Sequence, residues 1–185
     1  MIAMLNTKAQ ADDKFTFKQV TNDDLPLLHK WFQEPQVNRW WPVLKEGELI
    51  ENFLERIRSK ETFGYVVLLN GVPIGYIQYY KIDRSMPKAG AWLPELPKAT
   101  LGTDQFIGDT QYIGKGYGTI FIKDFITYLH TIEPDITTII VDPDPENLAA
   151  IRCYEKVGFK KMIIFEKSGA RHWLMIYQIE HLIAS

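Results

Sequence analysis

The dipeptide Asn70-Gly71 stands between two largely apolar runs, Tyr65 to Leu69 and Val72 to Tyr80. Both residues accept positive φ, so they close a two-residue β-hairpin and commit the middle of the chain to an antiparallel ribbon. The elements around it follow from patterning. Lys14 to Val20 alternates like a half-buried strand, and Thr21-Asn22-Asp23-Asp24 then offers a cap for a helix through Leu28, Trp31 and Phe32. Pro35 and Pro42 bracket a short aromatic insert holding Trp40 and Trp41, and Glu46 to Lys60 puts Leu49, Ile50, Phe53, Leu54 and Ile57 at helical spacing. After the hairpin, residues 82–100 carry Pro87, Pro94 and Pro97 with no period and read as a long loop, functional or disordered, in which Trp92 and Leu93 argue for contacts.

The second half alternates strand and helix. Leu101 to Ile107 reads as a strand, Gly116 to Leu129 as an amphipathic helix and Thr137 to Val141 as a β-branched strand. Asp144-Pro145 is expected to cap and open a helix that stops at Gly158, because Pro is favoured at the first helical position. Lys160 to Glu166 and Trp173 to Ile179 close the chain as a strand pair around Ser168-Gly169. The class is α+β: a mixed central β-sheet flanked by helices on both faces. At 185 residues this is one domain, expected over 14–185, with 1–13 as a mobile tail.

Composition excludes several functions. A formal charge of -2 gives no basic field for nucleic acid, so no nucleic-acid partner is expected. Cys153 is the one cysteine, which rules out an internal disulfide, and no Cys/His spacing suggests a metal site. Met1 to Leu5 is too short an apolar start for a secretion signal and no later run is longer, so a cytoplasmic chain with no membrane span is expected.

The chemistry-bearing stretch is Gln111-Tyr112-Ile113-Gly114-Lys115-Gly116-Tyr117-Gly118-Thr119, between a strand and a helix N-terminus. Glycines every second residue let backbone N–H groups converge, and the helix start adds about half a positive charge, which makes a phosphate cradle. A tight turn into a helix would use the same glycines. Two nucleotide motifs fail here: Asp109 and Gly116 break the Walker A pattern, and Thr119 occupies the third glycine position of a dinucleotide fingerprint.

Gln111-x-x-Gly114-x-Gly116 resembles the acyl-CoA loop of the GNAT superfamily of N-acetyltransferases. Asn147-x-x-Ala150-x-x-x-Tyr154-x-x-x-Gly158-Phe159 resembles that superfamily's second signature, in the right order. Arg39-Trp40-Trp41, Asn70-Gly71-x-Pro73-Ile74-Gly75-Tyr76, Gly102-Thr103-Asp104-Gln105 and Asp142-Pro143 are similar to the aminoglycoside 6'-N-acetyltransferases over roughly residues 15 to 165. The loop 82–100 departs from them by being less acidic. The resemblance implies the GNAT fold, acetyl-CoA as cosubstrate and a small-molecule amine as partner. It implies cosubstrate contacts from Phe106, Ile107, Gln111, Gly114, Lys115, Gly116, Gly118, Thr119, Asn147 and Tyr154, with the Phe106 and Ile107 backbone polarising the thioester carbonyl. No metal is called for, and the protein is expected to be a monomer or homodimer.

Acetyl transfer to an amine near pKa 10 requires binding a cation, removing its proton and protonating a departing thiolate. The resemblance gives Asp104 as the base, Asp142 as a second substrate carboxylate and Tyr154 as the acid. Asp142 also reads as part of a helix-capping cluster with Asp144 and Glu146. Trp40, Trp41, Tyr79, Tyr80 and Trp92 are candidates for an aromatic wall against the substrate, with one of the two adjacent tryptophans favoured. Cys153 has no histidine near it in sequence and reads as packing. The leading expectation is acetylation of the 6'-amine of an aminoglycoside, which confers antibiotic resistance. The alternatives are an acyltransferase on a lysine-like or hydroxylamine side chain in siderophore assembly, and a non-enzymatic acyl-CoA-binding module that would need neither Asp104 nor Tyr154.

Overall fold

Asn70 and Gly71 both take positive φ, 50° and 82°, and close the hairpin with Leu69 opposite Val72. The computed structural model describes residues 8–9, 13–41, 46–59, 61–82, 96–167 and 169–179. The hairpin strands, β2 (Thr62–Leu69) and β3 (Val72–Lys81), lie inside a seven-stranded sheet. The other strands are β1 (Phe15–Gln19), β4 (Thr100–Ile107), β5 (Thr138–Val141), β6 (Lys160–Lys167) and β7 (Ala170–Gln178). Their order is β1-β2-β3-β4-β5-β7-β6, and every pairing is antiparallel except β4 with β5.

The sheet is covered on both faces, which is why β2 and β3 read as nearly continuous apolar runs. On one face α1 (Leu25–Gln33), the short α2 (Pro35–Asn38) and α3 (Glu46–Arg58) bring Leu28, Trp31, Phe32, Val37 and Phe53 against Val66 and Tyr76. On the other, α4 (Tyr117–Ile132) and α5 (Leu148–Val157) set Phe121, Phe125, Leu129 and Ile151 against Val67 and Ile77. Neighbouring residues 66/67 and 76/77 thus serve opposite cores, as strand alternation requires. No helix among the described residues is long and apolar enough to cross a membrane.

The structure moves three boundaries. The fifth helix begins at Leu148 and is capped by Asn147, whose Oδ1 accepts from the Ala150 N–H at 3.1 Å. Asp144 instead closes a turn, its Oδ1 accepting from Glu146 N–H at 2.7 Å, so Pro145 lies outside the helix. The aromatic insert contains α2, which opens with Pro35 at its first position. The last strand starts at Ala170, earlier than Trp173. Of the long loop, Trp92 and Leu93 lie outside the described residues, while Leu96 is buried with Ile140 and Phe165. Within 1–13, residues 8, 9 and 13 are described, and Ala9 donates its N–H to the Lys115 carbonyl at 3.2 Å.

At Gly75 the hairpin meets β4 so closely that an added Cβ would lie 2.4 Å from the Phe106 carbonyl oxygen. Backbone cannot swing aside as a side chain can, so Gly75→Ala is expected to pry β3 from β4. The expected loss, read from the urea midpoint, is about 1–3 kcal/mol.

Candidate active site

β4 and β5 pair over three positions only, Thr100↔Thr138, Leu101↔Ile139 and Gly102↔Ile140, and then part. Beyond Gly102 the edge of β4 facing away from β3 has no strand paired to it among the described residues. Successive β4 side chains leave this break on opposite faces, and Asp104, Asp142 and Tyr154 gather around it.

Asp104 lies on the α1–α3 face opposite Gln78 of β3, whose amide Nε2 donates to Asp104 Oδ2 at 2.8 Å. Enclosure by the protein, followed by the nearby negative charge of Asp142, pushes the Asp104 carboxyl up to about 6; the Gln78 hydrogen bond, Lys167 and Arg56 act against the rise. Asp142 follows β5 and takes an ion pair from Lys167 Nζ at 2.8 Å. Its backbone carbonyl contacts His172 Nδ1 at 2.9 Å, and since a carbonyl only accepts, that nitrogen donates. Capping of the next helix falls to Asn147, so Asp142 is free of that task.

Tyr154 reaches the break from α5, on the other side of the sheet. Its hydroxyl accepts from Gln105 Nε2 at 2.7 Å, while Gln105 Oε1 is buried with no partner among the described residues. Burial, and then the Asp104 charge, holds the phenol's pKa well above the ordinary tyrosine value.

The glycine-rich stretch starts with a 3-10 turn at Thr110–Tyr112, capped by Asp109, which accepts from Gln111 N–H at 3.0 Å and Gln111 Nε2 at 2.8 Å. Gly114 and Gly116 then take φ of 72° and 93°, and Gly116 is the N-cap of α4. These are conformations that a Cβ disfavours, and among the described residues nothing lies within 4 Å of a Cβ built on Gly114. The turn therefore leaves the helix N-terminus, an anion-favouring end, open on this side. Gly118 and Thr119 face α5 instead. A Cβ on Gly118 would stand 3.3 Å from Cys153 Sγ, and Thr119 Oγ1 lies 3.5 Å from the same sulfur. Burial raises the Cys153 thiol pKa, so it stays protonated and packs between helices.

The aromatic candidates divide. Trp41 sits on the Asp104 face in edge contact with Phe32, Tyr76 and Phe106, and Trp40 lies under the Arg39 guanidinium at 4.7 Å. Tyr79 is corrected to a core residue. It points to the opposite face, stacks on Phe63 at 4.8 Å and donates its hydroxyl to Glu133 at 3.2 Å, because strand alternation turns it away from Asp104. Tyr80 is the neighbour that shares the site: burial and the charges of Asp104 and Asp142 hold its pKa well above the usual value. Its ring fills the space where Gly102 lacks a Cβ. Phe106 is part of the aromatic cluster on the α1–α3 face, and Ile107 packs toward α4. Asn147 spends its side-chain oxygen on the α5 cap.

Sequence reading gave no role to Gln78, Gln105, Arg56 or Lys167. Gln78 did leave a signal, as a lone amide inside an apolar strand run; Arg56 and Lys167 are ordinary surface-type charges and left none. A cavity lined by Gln19, Phe53, Arg56, Gly64 and Tyr76 touches none of the expected site residues. Among the described residues no group of three or more His, Cys, Asp or Glu could hold a metal ion.

Comparisons with known proteins agree on one family. The family described as "Acetyltransferase (GNAT) domain" matches residues 20–166. Aminoglycoside N(6')-acetyltransferase type 1 of Klebsiella pneumoniae is 34% identical over 158 residues, covering 82% of this chain and 76% of that protein. The crystal structure of aminoglycoside acetyltransferase AAC(6')-Ib in complex with coenzyme A and kanamycin superposes with a TM-score of 0.80 at 30% identity, covering 90% of this chain and 95% of that one. More distantly, N(6)-hydroxylysine O-acetyltransferase of Escherichia coli is 21% identical over 160 residues, and this chain spans half of its length.

Two results are expected from this geometry. Gly116→Val places a β-branched residue at φ 93° on the helix N-cap and should abolish acetyl-CoA binding in calorimetry while the circular dichroism spectrum survives. The second concerns stability. The native state holds a proton on Asp104 from the ordinary carboxylate range up to about 6, so ionisation costs stability as pH rises through that window. Asp104→Asn should thus raise the melting temperature more at pH 7.5 than at pH 4; an equal gain at both would rule out the raised pKa.

Proposed function

The chain belongs to the GNAT acetyltransferases and is an acetyl-CoA-dependent N-acetyltransferase, and from that premise we propose how it moves the acetyl group to the 6'-amine of an aminoglycoside. The observation that carries the reading is the break between β4 and β5, with Asp104 on one side, Tyr154 on the other and the glycine turn at the end of the same strand.

Acetyl-CoA supplies an acetyl thioester. The turn from Gly114 to Gly116 and the start of α4 hold its pyrophosphate. Gly108 donates its N–H to Ile74 of β3, so by alternation Phe106 also turns its backbone toward β3, and the open edge of β4 offers the Ile107 N–H to the thioester carbonyl. Above about pH 6 Asp104 is ionised; it attracts the substrate ammonium and accepts its proton, directly or through water. Asp142 adds a second negative charge, partly balanced by Lys167, and so favours a substrate with several amines. Tyr80 lies beside Asp104, and Trp41 packs on Phe106 along the same face of the sheet; both offer apolar ring surface to a sugar.

Tyr154 stays protonated throughout the working pH range because burial disfavours the phenolate. Its hydroxyl accepts from Gln105 and keeps its own proton to donate toward the sulfur as negative charge builds there. No covalent enzyme intermediate is required, in keeping with a protonated, packed Cys153.

A thiol-release assay over aminoglycosides, polyamines, lysine and N-hydroxylysine tests the substrate. Turnover of aminoglycosides carrying a free 6'-amine, and none of those lacking it, is the expected result; turnover of N-hydroxylysine alone would overturn it. For the preferred substrate, kcat/KM should fall on the acidic side with a midpoint near 6. Asp104→Asn should lower kcat/KM by roughly 10² or more, and Tyr154→Phe should lower kcat by about 10² to 10⁴ with the acetyl-CoA KM nearly unchanged.

A further inference from the structure

Gln78 is 4% exposed in the middle of β3, a strand whose neighbouring positions Tyr76, Ile77 and Tyr79 are themselves buried. A primary amide has an accepting end and a donating end, and here the surroundings decide which is which. Its Oε1 receives the Tyr76 hydroxyl at 2.8 Å and the Arg56 guanidinium at 3.2 Å. A guanidinium only donates, so the oxygen end is pinned toward α3. The NH₂ end therefore faces β4, where it meets Asp104 Oδ2 at 2.8 Å.

We propose that Gln78 is a positioning residue that fixes the rotamer of Asp104 and holds its carboxylate ionised, with Arg56 and Tyr76 locking the amide against a flip. The inference rests on the reading of Asp104 as the group that binds and deprotonates the amine. An N–H aimed at Oδ2 suits a carboxylate; a proton on that oxygen would confront it. Oδ2 is thereby occupied, leaving Oδ1 to meet the substrate ammonium.

The other groups that face Asp104 do not duplicate this role. Asp142 after β5 opposes ionisation, as does the enclosure of the site. Lys167 of β6 favours ionisation by charge, but its ammonium is engaged with Asp142. Arg56 of α3 acts on Asp104 partly by charge and partly through Gln78. Tyr80 of β3 and Tyr154 of α5 face it as neutral phenols, their pKa values raised by burial. Gln78 is thus the link by which a helix outside the reacting centre favours the ionised form inside it, against the enclosure and the Asp142 charge.

The test follows the Asp104 carboxyl directly, by carbon NMR of protein labelled at aspartate, with the signal assigned from Asp104→Asn. The same variants are assayed for amine kcat/KM against pH and for acetyl-CoA KM. In Gln78→Met, which keeps length and loses both hydrogen-bonding ends, the titration midpoint should rise by about one unit and the acidic limb of kcat/KM should follow. Acetyl-CoA KM should not change. Arg56→Met, at a half-exposed helix position, should move both in the same direction by less, and it carries the test should Gln78→Met fail to fold. An unmoved midpoint in a folded variant, or an activity loss equal at all pH values, overturns the proposal. A midpoint that moves while the rate limb stays would uphold the Gln78 link and show that Asp104 is not the base.

Discussion

The parting of β4 from β5 is the constraint on which the rest of the molecule depends. A parallel pair that ends after three positions leaves the following backbone groups of β4 without a strand beside them, and buried backbone groups must find partners. Two local features stand at the break. Pro143, just past β5, has no N–H to offer a ladder, and its carbonyl is taken by Trp173 of β7, which carries β5 away with it. Gly102, the last residue of β4 paired to β5, has no Cβ, and the Tyr80 ring of β3 lies across it.

The site is costly to build. Two carboxylates stand near one another at the edge of a packed sheet, and Lys167 is 2.8 Å from one of them only. The second is served by an amide whose own orientation depends on a helix, a longer chain of dependence than a direct ion pair would need. A direct cationic partner on Asp104 would depress its pKa and occupy the charge that the substrate ammonium must meet. A neutral donor favours ionisation and leaves that charge available.

Much of this was legible in the chain. The hairpin at Asn70-Gly71, the glycine turn and the Asn147 to Phe159 signature each depend on residue types with one strong local preference, and strand and helix periods supplied the elements between them. What sequence missed has a common cause. Tyr79 and Tyr80 are equally aromatic and adjacent, and only the register of β3 against β4 says that 80 shares a face with Asp104. Asp144 and Asn147 are both good caps, and the choice fell to the one whose side chain reaches an N–H three residues on. Arg56 and Lys167 matter through contacts made across long stretches of chain, for which no local pattern exists.

Strand alternation then explains how one short segment organises both halves of the chemistry. Asp104 and Gln105 are consecutive on β4, so their side chains leave on opposite faces. The first meets Gln78 and, behind it, Tyr76 and Arg56 on the α1–α3 side; the second meets Tyr154 of α5 on the other. The proposed proton acceptor is thus a residue of this dipeptide, and the proposed donor, carried by α5, is hydrogen-bonded to the other residue at the edge where the sheet opens. β4 ties the two groups together through adjacent residues, while α5 carries Tyr154 itself and α3 reaches Asp104 through Gln78.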